Sequence, residues 1–495
     1  MSSTKSTKET IVRDTAKYSF AFYASQGVGF VTSVSLRRFL GPYAMGIWSL
    51  LQVVQSYIKY LNLGVDSAAV YRIPFYRGKG EKLAAEKVKD TTFSFIFLIS
   101  LLSCLGLVIA ALYFRNKYPL EVIVGLLALA VYIILQRMYA FYIVILRAYG
   151  SFSILSKSLL FDSIANLFLV LLLVNQFKLY GLYFIISFLA VLNTLFVHRL
   201  AKEKIIFKFD LRQLKALIVY GFPILLNSVL GVILRSIGQI MIAKMMGIIF
   251  VGYYSIALMT KNYVYGFSNN LYIVTIPHMQ EAYGRKEKIE DIRKFLIVPT
   301  KALSYLLAPF LGVIYFTLPL FIEKFLPQYI PGIVTAQILL LDIFFYSCSS
   351  QASQFLITLN KQKIMIPITA AAIVISIVFN YCFIKNNWGI TGVAIATSIA
   401  SFFSFVSLLI YGMKHFGKGE KIFQFILSLI FPLVYVIVVI AICNYFFANL
   451  NQYLKLGLNI SVLLVSSLPL FYYIDRKTKI LHMIISMVKN KIKGG

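Results

Sequence analysis

The sequence GPYAMGIWSL occupies residues 41–50, and the related sequence GIIFVGYYSI occupies residues 247–256. In both stretches a second glycine follows the first after five residues, and a serine follows three residues later. The two copies lie roughly 200 residues apart, one in each half of the chain. A motif that recurs once in each half of a very hydrophobic chain predicts a transporter built from two homologous lobes.

The composition indicates a membrane protein. Apolar residues make up 60% of the chain and charged residues only 13%, whereas a soluble domain carries about 25% charged residues. Roughly 20 apolar residues span a bilayer as a helix, and the sequence contains about 14 such stretches, called spans 1 to 14 in chain order. They are too long, and alternate too little, for strands of a membrane barrel. We therefore predict an all-α polytopic membrane protein.

The charge distribution predicts the orientation of the chain in the membrane. The net charge of +30 would suggest a nucleic-acid partner in a soluble protein, but here we expect none. Most of the 48 Lys and Arg residues fall in the termini and the even-numbered connections, which lie on one side. The positive-inside rule then places both termini in the cytoplasm, with the protein in the cell (inner) membrane. The same basic connections face anionic membrane lipids.

The repeat also predicts the domain organisation. We expect an N-terminal six-helix lobe, a basic cytoplasmic linker, a C-terminal six-helix lobe, and an additional helix pair with a basic tail. These regions correspond to residues 1–200, 201–216, 217–412 and 413–495. Because six is an even number of spans, both lobes have the same orientation in the membrane.

Four basic residues are candidates for substrate binding. A charged side chain near the bilayer centre costs about 2.5 kcal/mol or more, so it needs a partner or a wet cavity. Lys261 lies near the middle of span 8, Arg235 in span 7, and Lys59 near the end of span 2. Arg38 follows span 1. Lys59 and Arg38 could instead extend to the lipid headgroups.

Two acidic residues also fall deep in spans: Asp162 in span 5 and Asp342 in span 10. Each could pair with a buried base such as Arg137 of span 4 or Lys157 of span 5, or bind a proton or sodium ion that drives transport. The sequence contains no phosphate-binding loop for ATP, and its four cysteines lack metal-ligand spacing. We expect no cofactor, no metal and no catalytic site.

Several motifs together resemble one family. Residues 39–51 (FLGPYAMGIWSLL), residues 220–225 (YGFPIL) and residues 387–397 (NWGITGVAIAT) follow in the same order as in that family. The chain resembles, over residues 14–412, the polysaccharide-unit (O-antigen or exopolysaccharide) flippases of the multidrug/oligosaccharidyl-lipid/polysaccharide (MOP) exporter superfamily. It departs from them at Gly238 and Gln239, where many relatives have an acidic and then a basic residue.

The resemblance implies a V-shaped pair of six-helix bundles that works by alternating access. Such a flippase moves an undecaprenyl-pyrophosphate-linked oligosaccharide to the outer leaflet for surface polysaccharide or lipopolysaccharide synthesis. Its implied partners are the lipid-linked oligosaccharide, a glycan polymerase and the chain-length machinery. Spans 1, 2, 7 and 8 line the family's central cavity. Lys261, Arg235, Lys59 and Arg38 would make that cavity cationic and bind the pyrophosphate.

Three other functions remain open. A flippase for the lipid-linked peptidoglycan precursor would handle nearly the same carrier lipid. A cation-coupled drug exporter needs deep acidic residues, and spans 1, 2, 7 and 8 contain none. A membrane-embedded glycan polymerase or ligase is an enzyme that needs a large extramembrane loop and acid–base residues. The short loops predicted here therefore favour a transporter over an enzyme.

Overall fold

The computed structural model describes residues 2–148, 151–201, 206–284, 293–359, 361–414 and 419–478. Within these ranges the chain forms 14 α-helices and no strand, which confirms the all-α prediction. In chain order the helices are α1 (Ser2–Ile58), α2 (Val65–Gly78), α3 (Lys82–Phe114), α4 (Leu120–Ala148), α5 (Phe152–Leu169), α6 (Asn175–Ala201), α7 (Leu211–Met245), α8 (Ile248–Gly284), α9 (Lys294–Phe325), α10 (Ile333–Thr358), α11 (Met365–Lys385), α12 (Gly389–Met413), α13 (Gly419–Phe446) and α14 (Gln452–Thr478).

Both copies of the repeated motif form helix corners. Helix α1 bends at Gly41, whose φ of 73° and ψ of 175° break the helical geometry. In the second copy, Gly247 has a φ of 107° between the end of α7 and the start of α8. A positive φ is accessible to glycine at little cost because it has no Cβ. The first glycine of each copy therefore lets the chain turn from one span into the next.

The apolar helices are long enough to cross a membrane. Ten segments of the described residues meet the length and composition expected of a membrane span, and the chain is a multi-pass membrane protein. One of them, Ser153–Leu200, contains a break at Lys178 (φ 50°, ψ −128°), so it holds two of the predicted spans. Helices α1 and α8 are not among the ten, because polar residues interrupt them. They contain spans 1, 2 and 8, which the resemblance places around the cavity.

The chain divides into two compact units. The first comprises Met1–Ser236 and Gly247–Gly252, and the second comprises Ile237–Met246 and Tyr253–Gly495. In the first unit α1 packs on α5, and α4 packs on both α3 and α6. In the second unit α10 packs on α12, and the additional helices α13 and α14 both pack on α9. Large buried side chains such as Phe344, Phe355 and Phe405 fill the core of this unit.

The segment between α6 and α7 is attached to α3. The Ser94 hydroxyl donates to the carbonyl oxygen of Lys208 at 3.1 Å and accepts the backbone N–H of Lys208 at 3.0 Å. The Asp210 carboxylate then accepts the N–H of Gln213 at 3.0 Å, so it caps the start of α7. This hydrogen bond holds the pKa of Asp210 below its ordinary value. The end of the predicted linker is therefore an ordered connection.

Candidate functional site

Three of the four predicted basic residues have exposed side chains. Arg38, Lys59 and Arg235 all belong to the first unit. The neighbouring Arg37 is buried, and its guanidinium donates to the carbonyl oxygen of Ser33 at 3.1 Å. The exposed residues can therefore interact with water, lipid or an anionic ligand.

Lys261 is buried in the second unit and forms an ion pair. Its ammonium lies 2.6 Å from the Oδ2 atom of Asp342, and only 9% of the lysine and none of the aspartate is exposed. The other carboxylate oxygen of Asp342 accepts a hydrogen bond from the Ser401 hydroxyl. The ammonium also lies 5.7 Å from the centre of the Tyr346 ring, a cation–π distance. The positive charge of Lys261 is thus largely neutralised within its own unit.

This cluster joins three helices of the second unit. Lys261 comes from α8, Asp342 and Tyr346 from α10, and Ser401 from α12. The sequence analysis identified both Lys261 and Asp342 as candidates, but it did not predict that they form a pair. It missed Ser401 and Tyr346 because a serine and a tyrosine within apolar helices carry no signal of their own. Tyr346 follows Asp342 by one helical turn, so its position could have been found once the aspartate was known to be paired.

The other deep charges have different partners from those predicted. The Asn193 amide donates to a carboxylate oxygen of Asp162 at 2.5 Å, which joins α5 to α6. The guanidinium of Arg137 donates to the carbonyl oxygen of Ile58 at 2.9 Å. Ile58 is the last residue of α1, where the carbonyl groups lack partners within the helix and favour a positive charge. Arg137 therefore stabilises the end of span 2, and within the described ranges it forms no ion pair with Asp162 or Asp342.

The two helix corners touch through their second glycines. A methyl group placed on Gly252 would lie 1.8 Å from the carbonyl oxygen of Pro42, and one placed on Gly46 would lie 2.1 Å from that of Ile248. In the aligned repeat, Gly46 corresponds to Gly252 and Pro42 corresponds to Ile248. All four residues belong to the first unit. Each glycine therefore makes the same contact with the other corner, which is evidence of internal two-fold symmetry.

A second glycine pair lies beyond the end of span 2. A methyl group added to Gly64 would lie 2.4 Å from the carbonyl oxygen of Gly221, and one added to Gly221 would lie 2.1 Å from the carbonyl oxygen of Gly64. Gly64 has a φ of 80°. It lies just beyond the short 3₁₀ turn Lys59–Asn62, which follows the end of α1. Between the two glycine contacts, the hydroxyls of Tyr57 and Ser236 lie 2.7 Å apart and link α1 to α7. Spans 2 and 7 thus approach each other closely at several levels.

The sequence of the chain matches one protein family. The model of the polysaccharide biosynthesis protein family matches residues 11–282, which is more than half of the chain. The chain belongs to this family. The family-level recognition made from the motifs is confirmed, and the protein is a member of the MOP exporter superfamily. Among curated proteins, no sequence matches the chain significantly.

Solved structures show the same fold. A lipid II flippase MurJ in an inward closed conformation has a TM-score of 0.71 and 17% identity, and the match covers 93% of this chain and 99% of the flippase. An inward-facing multidrug resistance MATE transporter has a TM-score of 0.65 and 17% identity over 81% of this chain and 95% of its own. A third match is a MOP superfamily transporter from Pyrococcus furiosus, whose binding pocket is described as having reverse polarity. Its TM-score is 0.59 and its identity 16%, and the match covers 84% of this chain and 96% of the transporter. The fold is therefore that of membrane transporters.

Proposed function

We propose that this protein is a flippase that moves an undecaprenyl-pyrophosphate-linked oligosaccharide repeat unit from the cytoplasmic to the outer leaflet of the cell membrane. The observation that carries the proposal is the charge of spans 1, 2, 7 and 8, which contain basic residues and no acidic residue. The family match to polysaccharide biosynthesis proteins supports a glycan as the cargo. The product would feed the synthesis of a surface polysaccharide such as an O-antigen.

The exposed basic residues suit the charged part of this substrate. A pyrophosphate diester carries two negative charges and several acceptor oxygens, and arginine binds such groups through two parallel hydrogen bonds. Arg38, Lys59 and Arg235 present exposed cationic groups on or beside spans 1, 2 and 7. We assign the initial binding of the pyrophosphate to them. Lys261 would bind the pyrophosphate only after its ion pair with Asp342 has been broken.

The close backbone contacts at the glycines are compatible with alternating access. The corner contact involves Gly46 and Gly252, and the other contact involves Gly64 and Gly221. At these glycines the two helices touch through backbone atoms. They can therefore move apart without first separating interdigitated side chains. A transport cycle would open one contact while the other stays closed, so that the headgroup reaches only one side at a time.

The deep acidic residues differ in their availability for a coupling ion. Asp342 already holds the ammonium of Lys261, which occupies the position that a cation would take. Asp162 is partly exposed and accepts one hydrogen bond from an uncharged amide. If a proton or sodium gradient drives transport, we therefore propose Asp162 as the coupling residue.

A flippase for the peptidoglycan precursor is the second candidate. It is favoured by the similarity to the lipid II flippase, since 99% of that chain aligns with this fold. The drug-exporter alternative is disfavoured because a cationic site repels a cationic drug. The proposed transport activity does not require an enzymatic site, so we place the protein among transporters.

Mass spectrometry of membrane lipids after deletion of the gene tests the function. We expect polyprenyl-pyrophosphate-linked oligosaccharide to accumulate and the surface glycan to disappear. Accumulation of the peptidoglycan precursor would instead support the second candidate. Unchanged lipids with new sensitivity to cationic drugs would contradict both flippase functions.

Complementation of the deletion tests the binding residues. The triple variant Arg38→Gln, Lys59→Gln and Arg235→Gln removes three exposed charges and should lower the amount of surface glycan at least tenfold, because each charge-assisted hydrogen bond contributes about 1.5–3 kcal/mol. The matched control is Lys385→Gln, which removes an exposed charge at the end of α11. If both variants restore the glycan equally, the three residues do not bind the substrate.

A further inference from the structure

The additional helix pair helps to form an amphipathic cavity within the second unit. An apolar cavity of about 400 Å³ lies between α9, α10 and α13, and residues such as Leu311, Leu341, Val436 and Ile440 line it. A smaller polar pocket of about 210 Å³ lies between α9, α10, α13 and α14. Both are lined by Tyr315, Gln337 and Asn444, so they are adjacent. The volume of the apolar part falls within the range of about 300–1,000 Å³ that is typical of ligand sites.

The polar pocket lies at one end of the helices. Asn444 belongs to the last turn of α13, whereas Gln452 and Lys455 belong to the first turn of α14. The apolar cavity extends from this end along α13 as far as Leu433, a distance of roughly 16 Å at 1.5 Å per residue. A ligand that fills both spaces must therefore have a compact polar group at the end of a long apolar chain.

The polar pocket has groups that an anionic headgroup would satisfy. Lys455 is half-buried and forms no ion pair within the described residues. Asn459 is only 3% exposed, and its side-chain oxygen has no hydrogen-bond donor in the described part of the chain. At the mouth of the pocket, the Gln452 amide donates to the carboxylate of Glu323. A buried oxygen without a hydrogen-bond donor is unfavourable, so a ligand that donates a hydrogen bond to Asn459 would be stabilised.

We propose that this cavity binds one molecule of an anionic glycerophospholipid with a hydroxyl-bearing headgroup, which is the chemistry of phosphatidylglycerol. The lipid phosphate accepts hydrogen bonds from Lys455, a headgroup hydroxyl donates to Asn459, and one acyl chain occupies the apolar cavity. A choline headgroup has no N–H or O–H donor for Asn459. The ammonium of an ethanolamine headgroup could donate, but it would lie beside the ammonium of Lys455.

The size of the polar pocket distinguishes this lipid from the transported substrate. A space of about 210 Å³ is smaller than the usual ligand pocket of at least about 300 Å³ and would not hold an oligosaccharide. The site lies entirely within the second unit and involves the helices outside the repeat. The inference therefore does not depend on the proposed flippase function.

Native mass spectrometry of the full-length, delipidated protein tests the proposal. The protein is titrated in detergent with phosphatidylglycerol, phosphatidylethanolamine or phosphatidylcholine of the same acyl chains. We expect the first adduct to form with phosphatidylglycerol at about tenfold lower concentration than with phosphatidylcholine, because one hydrogen bond to a charged group corresponds to roughly that factor. Equal binding of these two lipids would contradict the site, and tighter binding of phosphatidylethanolamine would overturn the hydroxyl assignment.

Three variants and one control locate the lipid. Lys455→Gln and Asn459→Leu should each abolish the preference for phosphatidylglycerol, and Ala441→Phe should block the apolar cavity that Ala441 lines with an exposed side chain. Lys385→Gln, at the end of α11, should bind as the unmodified protein does. Because Ala441 is exposed, its variant should fold even if Asn459→Leu does not. Preserved lipid preference in both Lys455→Gln and Ala441→Phe would exclude this cavity.

Discussion

At the scale of single residues, the buried pair of Lys261 and Asp342 is the main electrostatic feature of the second unit. Two charges taken out of water lose several kcal/mol of hydration each, and their attraction compensates only when the geometry is good. Here the distance of 2.6 Å, the Ser401 hydroxyl and the Tyr346 ring supply that geometry. The pair holds α8, α10 and α12 together, and removal of either member leaves an uncompensated charge.

Substitution of Lys261 tests this role. Lys261→Met should destabilise the protein by about 3–5 kcal/mol, because it leaves the Asp342 carboxylate buried without a counter-charge. The double variant Lys261→Met, Asp342→Leu should recover most of this stability. Thermal unfolding in detergent measures both effects. If the single variant is as stable as the unmodified protein, the ion pair is not structural, and the prediction that Lys261 binds substrate gains support.

At the scale of helices, the sequence predicted the spans better than their contacts. The long apolar stretches and the repeated glycines stand out in the sequence because hydrophobicity and positive φ impose strong local requirements on residue type. The partners of Asp162 and Arg137 were not visible, since Asn193 and the Ile58 carbonyl lie on other helices and carry no distinctive pattern. The predicted cationic cavity stays a prediction, although three of its four residues are exposed as it requires.

The corner contact gives a prediction at this scale. Gly46→Ala and Gly252→Ala should each force the corners apart, because their methyl groups would lie about 2 Å from a backbone carbonyl oxygen and backbone cannot move aside as a side chain does. We expect loss of surface glycan in complementation, with membrane abundance within twofold of normal.

Gly106→Ala is the matched control for the corner glycines. A methyl group on Gly106, within α3, would meet nothing within 4 Å. An alanine in a helix also has a higher propensity than glycine, so this variant should retain full activity. If the corner variants are equally active, the close approach at the corners is not needed for transport.

At the scale of the whole molecule, the basic residues specify the orientation. The positive-inside rule predicts cytoplasmic termini, and a C-terminal fusion tests it. A fused green fluorescent protein should fluoresce, and a fused alkaline phosphatase should be inactive, because the first folds in the cytoplasm and the second needs disulfides that form outside it. The opposite result would reverse the orientation and would place the polar lipid pocket on the cytoplasmic side.

The reciprocal contact at the corners has a consequence for the origin of the chain. Gly46 meets the residue equivalent to the one that Gly252 meets, which is the arrangement of an isologous interface in a two-fold homodimer. An ancestral half-length protein could have made this contact twice with a single sequence. In such a history, gene duplication and fusion would leave each corner free to diverge, while each glycine would stay constrained by the backbone of the other corner. The interface that once specified a dimer would thus have become the moving part of one polypeptide.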